Sequence, residues 1–194
     1  MNFTREWAMP NKWTFTIPPI AKLIKEEVGG RFSIDPFAGK HSPATTRNDL
    51  NPDMPTQYHM DALEFLEMQL DLWGVGYFQV GIFDAPYSMR QVKECYQEIG
   101  RPTPPEQTKS DYLSKCKDRL ALLIAAGGKV VSCGWNSGGM GKGRGFELDK
   151  ILLVAHGGPH NDTIVTVETK VQDTLTRPDI VHGSPSQRDS ETPR

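Results

Sequence analysis

The feature of this sequence that most constrains its fold is a set of short β-forming runs that each stop at an aspartate. Segments with helical periodicity, such as Pro18–Val28 and Ala62–Trp73, separate runs of this kind. Near the other end, runs over residues 146–156 and 163–167 have the pattern of an antiparallel hairpin. The sequence therefore predicts an α/β fold, a doubly wound, mostly parallel sheet closed by a C-terminal antiparallel hairpin. The aspartates are Asp35, Asp49, Asp61 and Asp84.

These aspartates are expected to meet at one edge of the sheet. The carboxyl ends of parallel strands lie together, and open α/β sheets bind ligands at that edge. Carboxylates accept hydrogen bonds from hydroxyl and amino groups. For each aspartate taken singly, the alternative is a helix N-cap or a turn carboxylate. The series of four favours a shared binding crevice.

The stretch from Val80 to Tyr87 holds the main candidate residues for binding a reacting group. An apolar run stops at Asp84, and Pro86 biases Ala85 away from helix, so the Ala85 carbonyl can point outward beside the carboxylate. Tyr87 adds a flat ring with a polar tip. Two acceptors beside an aromatic platform suit a planar group that bears an NH2. The alternative is a plain turn with a solvated aspartate.

Length and composition describe one domain. The chain has 194 residues, 37% hydrophobic and 24% charged, which suffices for a sizeable core. It has no apolar run of membrane-spanning length and no signal-peptide layout, so we expect a cytoplasmic protein with no membrane partner. At a net charge of −2, a nucleic acid would have to meet a local basic patch.

No metal or disulfide is expected. The cysteines at 95, 116 and 133 are odd in number and widely spaced, which favours reduced thiols. His156 and His160 flank a Gly-Gly-Pro insert that forbids a helical face, so we interpret them as loop residues and not as metal ligands.

The chain divides into three parts on its composition. We predict a flexible N-terminus over residues 1–12, a folded domain over 13–171, and a disordered tail over 172–194 that is rich in Pro, Ser, Asp and Arg. Within the domain, residues 13–17 alternate like a short strand, and residues 107–126 have the pattern of one long helix.

Four motifs resemble, in chain order, the cofactor and catalytic motifs of S-adenosylmethionine-dependent amino-methyltransferases, which methylate adenine N6 or cytosine N4 in DNA. The resemblance covers roughly residues 13–168, and the segment 134–147, up to His156-Gly-Gly, is similar to small DNA methylases of phage and bacterial genomes. It implies the class I methyltransferase (Rossmann-like) fold and S-adenosylmethionine as cofactor. The motifs are Asp35-Pro-Phe-Ala-Gly39, Asp49 with Asn51-Pro52, Asp61-Ala62 and Asp84-Ala-Pro-Tyr87.

The resemblance assigns the cofactor residues one by one. Asp49, with Leu50 and Asn51 beside it, would accept hydrogen bonds from the ribose hydroxyls. Asp61, with Ala62 beside it, would accept a hydrogen bond from the adenine amino group. Phe15 belongs to a segment that would close over the methionine end. The turn beneath the methionine part would comprise Asp35, Pro36, Phe37, Ala38 and Gly39.

The chain departs from the family pattern in two places. Only residues 36–48 lie between Asp35 and Asp49, so the helix usual there is expected to be absent or cut to one turn. Ala85 replaces the first of two usual prolines, which preserves the backbone carbonyl that the family uses.

The implied reaction is methyl transfer to an exocyclic amine, with adenine N6 favoured over cytosine N4. Asp84 and Ala85 would accept hydrogen bonds from its two N–H groups, and Tyr87 would stack on the base. If the substrate is a duplex, the base must also be flipped out. RNA is an alternative acceptor. A further alternative is a non-catalytic module that binds a nucleotide or a partner protein on a shortened methyltransferase fold.

Contacts to DNA are predicted in the glycine-rich loop after residue 134. Lys142 and Arg144, flanked by Trp135 and Asn136, would contact phosphates or neighbouring bases, since glycine allows close backbone approach. The alternative is that this glycine-rich loop only connects two strands and contacts no DNA. The chain has no spare segment for target recognition, so we expect little sequence preference, a single-stranded or short target, or help from a homodimer or second recognition subunit.

Overall fold

Seven strands form one sheet in the computed structural model, which describes residues 1–171. From edge to edge the order is β1-β6-β7-β5-β4-β2-β3. The strand β7 runs antiparallel to both of its neighbours, and the other pairings are parallel. The strands are β1 (Asn2–Trp7), β2 (Ser33–Asp35), β3 (Thr46–Arg47), β4 (Phe78–Phe83), β5 (Ile124–Gly134), β6 (Phe146–Ala155) and β7 (Thr163–Lys170).

Helices cover both faces of this sheet. Ile20 and Ile24 of α1 pack with Val80 and Ile82 on one face. On the other face, α2 and α4 pack in a second cluster that includes Phe65 and Leu120. This confirms the predicted doubly wound arrangement and its C-terminal antiparallel hairpin. The helices are α1 (Pro18–Val28), α2 (Ala62–Trp73), α3 (Met89–Glu98) and α4 (Tyr112–Leu123), and short 3-10 turns cover Thr14–Thr16, Pro105–Thr108 and Lys142–Arg144.

The first two helices begin and end where local chemistry predicts. Two prolines open α1, because proline at the first helical positions loses no hydrogen bond, and Gly29 ends it with a left-handed φ of 49°. The Asp61 carboxylate accepts from the N–H groups of Leu63 and Glu64 to cap α2, and Gly74 ends that helix.

Two buried charged side chains, Lys170 and Glu27, connect helices to strands of the sheet. Lys170, at the end of β7, is buried and donates to the carbonyl oxygens of Ala121 (2.8 Å) and Ile124 (2.7 Å) at the end of α4. A cation there satisfies helix carbonyls that lack partners within the helix. Glu27 of α1 is likewise buried and accepts from Lys150 of β6 (2.6 Å) and Lys129 of β5 (3.1 Å).

The N-terminus differs from its prediction. Residues 1–12 were expected to be flexible, but Asn2–Trp7 is the edge strand β1, parallel to β6 with Asn2 opposite Lys150. The strand predicted over residues 13–17 is instead a 3-10 turn, Thr14–Thr16. The strand β1 takes its conformation from pairing with β6, a distant partner that local pattern does not reveal.

Two other elements differ in extent from their predictions. The run that stops at Asp61 makes only a single bridge, from Tyr58 to Asn48. The helix predicted over 107–126 divides into a 3-10 turn and α4, and its last residues belong to β5. Between β2 and β3 the chain forms turns without a helix, as the spacing predicted.

Two further predictions concern the C-terminal tail and the lack of a membrane-spanning segment. The predicted tail over 172–194 lies outside the described residues, so the C-terminal limit of the domain at residue 171 stays a prediction. Among residues 1–171, none of the helices is long and apolar enough to cross a membrane.

Candidate active site

The carboxyl ends of β2 and β4 lie side by side and open into one cleft. Ser33 and Ile34 of β2 stand opposite Val80 and Gly81 of β4, so the turns after both strands meet at the same edge. The cleft has a volume of about 890 Å³. The predicted site residues that line it are Pro36, Phe37, Asp49, Leu50, Asn51, Asp61, Ala62, Asp84, Ala85, Pro86, Tyr87 and Trp135.

The Asp84 carboxylate, which follows β4 directly, lies in this cleft and is half-buried. The Tyr87 hydroxyl donates to its Oδ1 across 3.0 Å. Burial raises the pKa of Asp84, while hydrogen bonds from Thr14 and Tyr87 act in the opposite direction. The carboxylate is therefore desolvated but held by the Tyr87 hydroxyl, which orients its Oδ1.

Tyr87 is fixed from three sides. Its N–H donates to Oε1 of Gln91 (2.6 Å), its hydroxyl donates to Asp84, and its ring meets that of Trp135 edge to face at 5.2 Å. Burial, followed by the charge of Asp84, raises the pKa of the phenol, which keeps its proton for this hydrogen bond. Trp135 is 46% exposed, so its ring also offers an open aromatic surface at the cleft.

The turn after β2 is stabilised by Asp35, which lies beneath the cleft and not in its lining. The fully buried Asp35 carboxylate accepts from Ser42 Oγ (2.6 Å) and from the Phe37 N–H (2.9 Å). Burial raises the pKa of Asp35 to about 7, and the neighbouring charges of Asp84 and Asp49 add to the increase. Asp35 thus stabilises the turn that residues 35–39 were predicted to form, and its role beneath a bound cofactor stays a prediction.

Asp49 connects that turn to the cleft. Its Oδ2 accepts from the N–H of Gly39 and its Oδ1 from the N–H of Asn51, at 2.9 and 2.8 Å. Gly39 has a φ of 54°, and a Cβ there would meet the ring of Trp13. A carboxylate has about four acceptor sites, so Asp49 keeps capacity for a ligand in the cleft.

Asp61 lines the cleft, but other protein groups occupy its carboxylate. Its Oδ1 accepts from two helix N–H groups, and its Oδ2 accepts from the hydroxyls of Tyr96 (2.8 Å) and Tyr112 (2.7 Å). These four donors fill the usual capacity of a carboxylate. The structure therefore favours the helix-cap alternative for Asp61 over its predicted contact with an adenine amino group.

Several predicted residues lie away from the cleft lining. Ala38 and Gly39 are in the turn behind it, and Phe15 packs against the core on the α1 face. Asn136 is exposed, and its side chain accepts from the Gly138 N–H.

Arg144 and Lys142 differ most from their predicted role. The Arg144 guanidinium donates to Asp118 (2.7 Å), to Ser114 Oγ (2.7 Å) and to the Met140 carbonyl (3.0 Å). These contacts attach the glycine-rich loop to α4, so Arg144 has a structural role. Lys142 is exposed but does not line the cleft. Of the four predicted nucleic-acid contacts, only Trp135 reaches it.

The structure adds cleft residues that the sequence did not indicate. The segment Pro10–Thr14 forms part of the lining, and Thr14 reaches Asp84. Tyr96 and Tyr112 come from α3 and α4. Their signal in sequence is weak, because a tyrosine on an amphipathic helix is as consistent with packing as with a buried hydrogen bond to a distant carboxylate.

His156 lies where β6 ends, and its ring is used within the protein. Its Nδ1 is 2.8 Å from the Ala8 carbonyl, and its Nε2 is 2.8 Å from Thr163 Oγ1. Across residues 1–171, no cluster of three His, Cys, Asp or Glu side chains is arranged to hold a metal ion. The cysteines within that range are free thiols.

No protein family matches this sequence, and no curated protein is significantly similar to it. Solved structures are similar in fold. A Burkholderia thailandensis 1,6-didemethyltoxoflavin-N1-methyltransferase, solved with 1,6-didemethyltoxoflavin and S-adenosylhomocysteine, superposes with a TM-score of 0.52 at 12% identity, over 79% of this chain and 77% of that chain.

Two further structures are less similar. TrmN from Thermus thermophilus has a TM-score of 0.48 at 16% identity, over 80% of this chain and 49% of that chain, so this chain spans about half of TrmN. The N-methyltransferase NodS from Bradyrhizobium japonicum WM9 has a TM-score of 0.48 at 8% identity, over 78% of this chain and 94% of that chain. The sheet order, the helices on both faces and the similarity to the Burkholderia enzyme show that this chain has the class I methyltransferase (Rossmann-like) fold.

Proposed function

We propose that this protein transfers a methyl group from S-adenosylmethionine to the exocyclic amine of a nucleobase in DNA, with adenine N6 favoured over cytosine N4. One observation carries the proposal. Asp84, Ala85, Pro86 and Tyr87 line the same cleft as Asp49 and the turn that follows β2. A pair of acceptors for an amine thus shares a space with a carboxylate suited to ribose hydroxyls.

The residues of the cleft fit the chemistry of S-adenosylmethionine. Asp49 has unused acceptor capacity for ribose hydroxyls, and Phe37 and Met60 offer apolar surface to an adenine ring. Ala62, the first residue of α2, also lines the cleft. The Asp61 side chain accepts from the N–H groups of Leu63 and Glu64 and not from that of Ala62. The Burkholderia enzyme of the same fold binds S-adenosylhomocysteine. When bound, the cofactor supplies an electrophilic methyl group.

Asp84 and Ala85 would activate the acceptor amine. The lone pair of an exocyclic amine is delocalised into its ring, which makes the nitrogen a poor nucleophile. If the Asp84 carboxylate accepts one N–H and the Ala85 carbonyl the other, the nitrogen becomes more tetrahedral and its lone pair is exposed. Preorganised acceptors of this kind contribute about 10²–10³ in rate.

The aromatic side chains would hold the base. The hydroxyl of Tyr87 is engaged by Asp84, so its ring has a defined orientation, and Trp135 presents a partly exposed ring next to it. Stacking on such rings is worth roughly 1–3 kcal/mol per base. With a duplex substrate that gain offsets the few kcal/mol needed to take the base out of the stack, whereas a single strand does not have this cost.

The test is a methyl-transfer assay with labelled S-adenosylmethionine. Asp84→Ala should reduce transfer to DNA by at least about 10², while thermal unfolding shows an intact fold. Asp71→Ala, which changes an exposed aspartate on α2, is the matched control and should retain activity. Transfer that is unchanged in Asp84→Ala would defeat the assignment. Parallel reactions with RNA and free nucleosides identify the acceptor.

A non-catalytic binding module is the second candidate. The absence of a helix between β2 and β3 and the occupied carboxylate of Asp61 favour it, since both remove usual elements of a cofactor pocket. Calorimetry separates the two. Heat of binding with S-adenosylmethionine supports the enzyme, whereas no heat and no thermal shift at saturating cofactor, with DNA, RNA or nucleoside present, supports the module.

A further inference from the structure

A second cavity adjoins the cleft on the side of the N-terminal segment. It has a volume of about 550 Å³, and we call it the N-terminal groove. Pro10, Asn11 and Ile17 line both the groove and the cleft, so the two spaces adjoin. A polymer whose target unit lies in the cleft could therefore extend into the groove. The other groove residues are Glu6, Trp7, Ala8, Met9, Thr16, Pro18, Pro19 and Lys22.

The N-terminal groove exposes large apolar side chains. Trp7, at the end of β1, is 65% exposed, and Met9 is 67% exposed. Exposed apolar surface of this kind at the rim of a cavity marks a binding site more often than a plain surface. A tryptophan ring of this exposure gives a flat platform on which an unpaired base can stack.

The charges around the two cavities are separated by sign. On the α3 side the lining includes Glu98 and Glu94, of which Glu94 is paired with Arg90, and the charge of Asp49 reaches Cys95 of that helix. Lys12, on the N-terminal side of the cleft, and Lys22, in the groove, are exposed cations. A polyanion would thus be repelled at α3 and attracted toward the groove. Glu6 is a groove residue of the opposite sign.

We propose that the N-terminal groove binds nucleotides flanking the target base in a single strand of nucleic acid. The inference rests on the proposed function, because it takes the target base to lie in the cleft. A base stacks on Trp7, and Lys22 and Lys12 meet the backbone phosphates. An unpaired strand is required, since a base within a duplex has no free face for the tryptophan. This surface replaces the glycine-rich loop, whose Arg144 is held by α4.

The test measures binding by fluorescence anisotropy without cofactor. The probe is a fluorescein-labelled oligodeoxynucleotide of about 12 nucleotides with one adenine, in single-stranded and duplex forms. Trp7→Ala should weaken single-strand binding about tenfold, and Lys22→Gln should make the slope of log affinity against log salt shallower by about 0.7. Glu6→Gln should tighten binding at low salt, because it removes a repulsive charge.

Two variants outside the groove serve as controls. Trp73→Ala removes an exposed tryptophan from the far end of α2, and Lys115→Gln removes an exposed cation from α4. Both should bind like the unaltered protein. Equal affinities for Trp7→Ala and Trp73→Ala, or a preference for duplex, would overturn the inference.

The failures of the two proposals differ. Binding through the groove without methyl transfer defeats the proposed function alone. Methyl transfer to free nucleosides, without measurable affinity for the oligonucleotide, defeats the groove alone.

Discussion

The Tyr87 hydroxyl donates a hydrogen bond to Oδ1 of Asp84 across 3.0 Å. The two residues are three apart, and Pro86 between them limits the backbone conformations of the segment that joins them. A hydroxyl donor at this place favours the ionised carboxylate in a site where burial opposes it. Tyr87 therefore orients Asp84 in addition to the stacking role that the sequence predicted.

Tyr87→Phe should raise the pKa of Asp84. The hydrogen bond that is lost, worth about 1 kcal/mol, favours the ionised form of Asp84. Because the ionised carboxylate is the acceptor, the acid limb of the pH–rate profile should move to higher pH together with this pKa. The Asp84 carboxyl carbon, followed by NMR titration, gives the shift without reference to activity. Tyr77→Phe, which alters a distant phenol, should leave it unchanged, and an unchanged titration in Tyr87→Phe would contradict the prediction.

Asp35→Asn should remove a pH dependence from the free energy of unfolding. The folded protein raises the pKa of Asp35 from 3.8 to about 7, chiefly by burial, so unfolding between those values releases a proton. Stability therefore decreases as pH rises from 4 to 7, by about 3 kcal/mol from this group. Asparagine keeps the acceptor for Phe37 and does not ionise. Urea unfolding at several pH values should give a flatter profile in the variant, and parallel profiles would count against this.

Gly139→Ala should destabilise the glycine-rich loop. Glu168 of β7 accepts from the N–H groups of Met140 and Gly141, and a Cβ at Gly139 would overlap with that buried carboxylate. Gly100→Ala is the matched control, because Gly100 also has a positive φ but has open space around it. We expect a loss of roughly 1 kcal/mol for Gly100→Ala and at least about 2 kcal/mol for Gly139→Ala in chemical denaturation. Equal losses of stability in the two variants would show that the positive φ alone causes them, and not the overlap with Glu168.

Glu27→Gln should destabilise the α1 face of the sheet. Although burial acts to raise the pKa of Glu27, the ion pairs with Lys150 and Lys129 outweigh it and hold that pKa below its ordinary value of 4.5. The contribution is present above pH 4.5 and is lost as pH falls through the lowered pKa. The expected loss at pH 7 is about 1–3 kcal/mol.

The control for Glu27 is an exposed ion pair. Glu94→Gln removes the partner of Arg90 on α3, where solvent screens both charges, and should cost about 0.5 kcal/mol or less. The two variants are compared by urea midpoint at pH 7 and pH 3. A Glu27→Gln loss that persists undiminished at pH 3 would contradict the ion-pair explanation.

The sequence predicted those parts of the fold whose causes are local. Prolines and a glycine define α1, the Asp61 cap and Gly74 define α2, and an apolar run that stops at Asp84 defines the edge of the cleft. Each of these depends on residues within a few positions along the chain. The strand β1 had no such signal, because Asn2 pairs with Lys150 at the other end of the sequence.

Within the site, the sequence by itself determined which groups stand at the strand ends, and the tertiary structure decided which of them remain available. The oxygens of Asp61 are taken by phenols 35 and 51 residues away, and Arg144 is taken by Asp118 of α4, 26 residues before it. Each side chain can form only a limited number of hydrogen bonds, so a carboxylate or guanidinium that distant partners already satisfy cannot also bind a ligand. Residue type and spacing carry no record of those partners, since only folding brings them together.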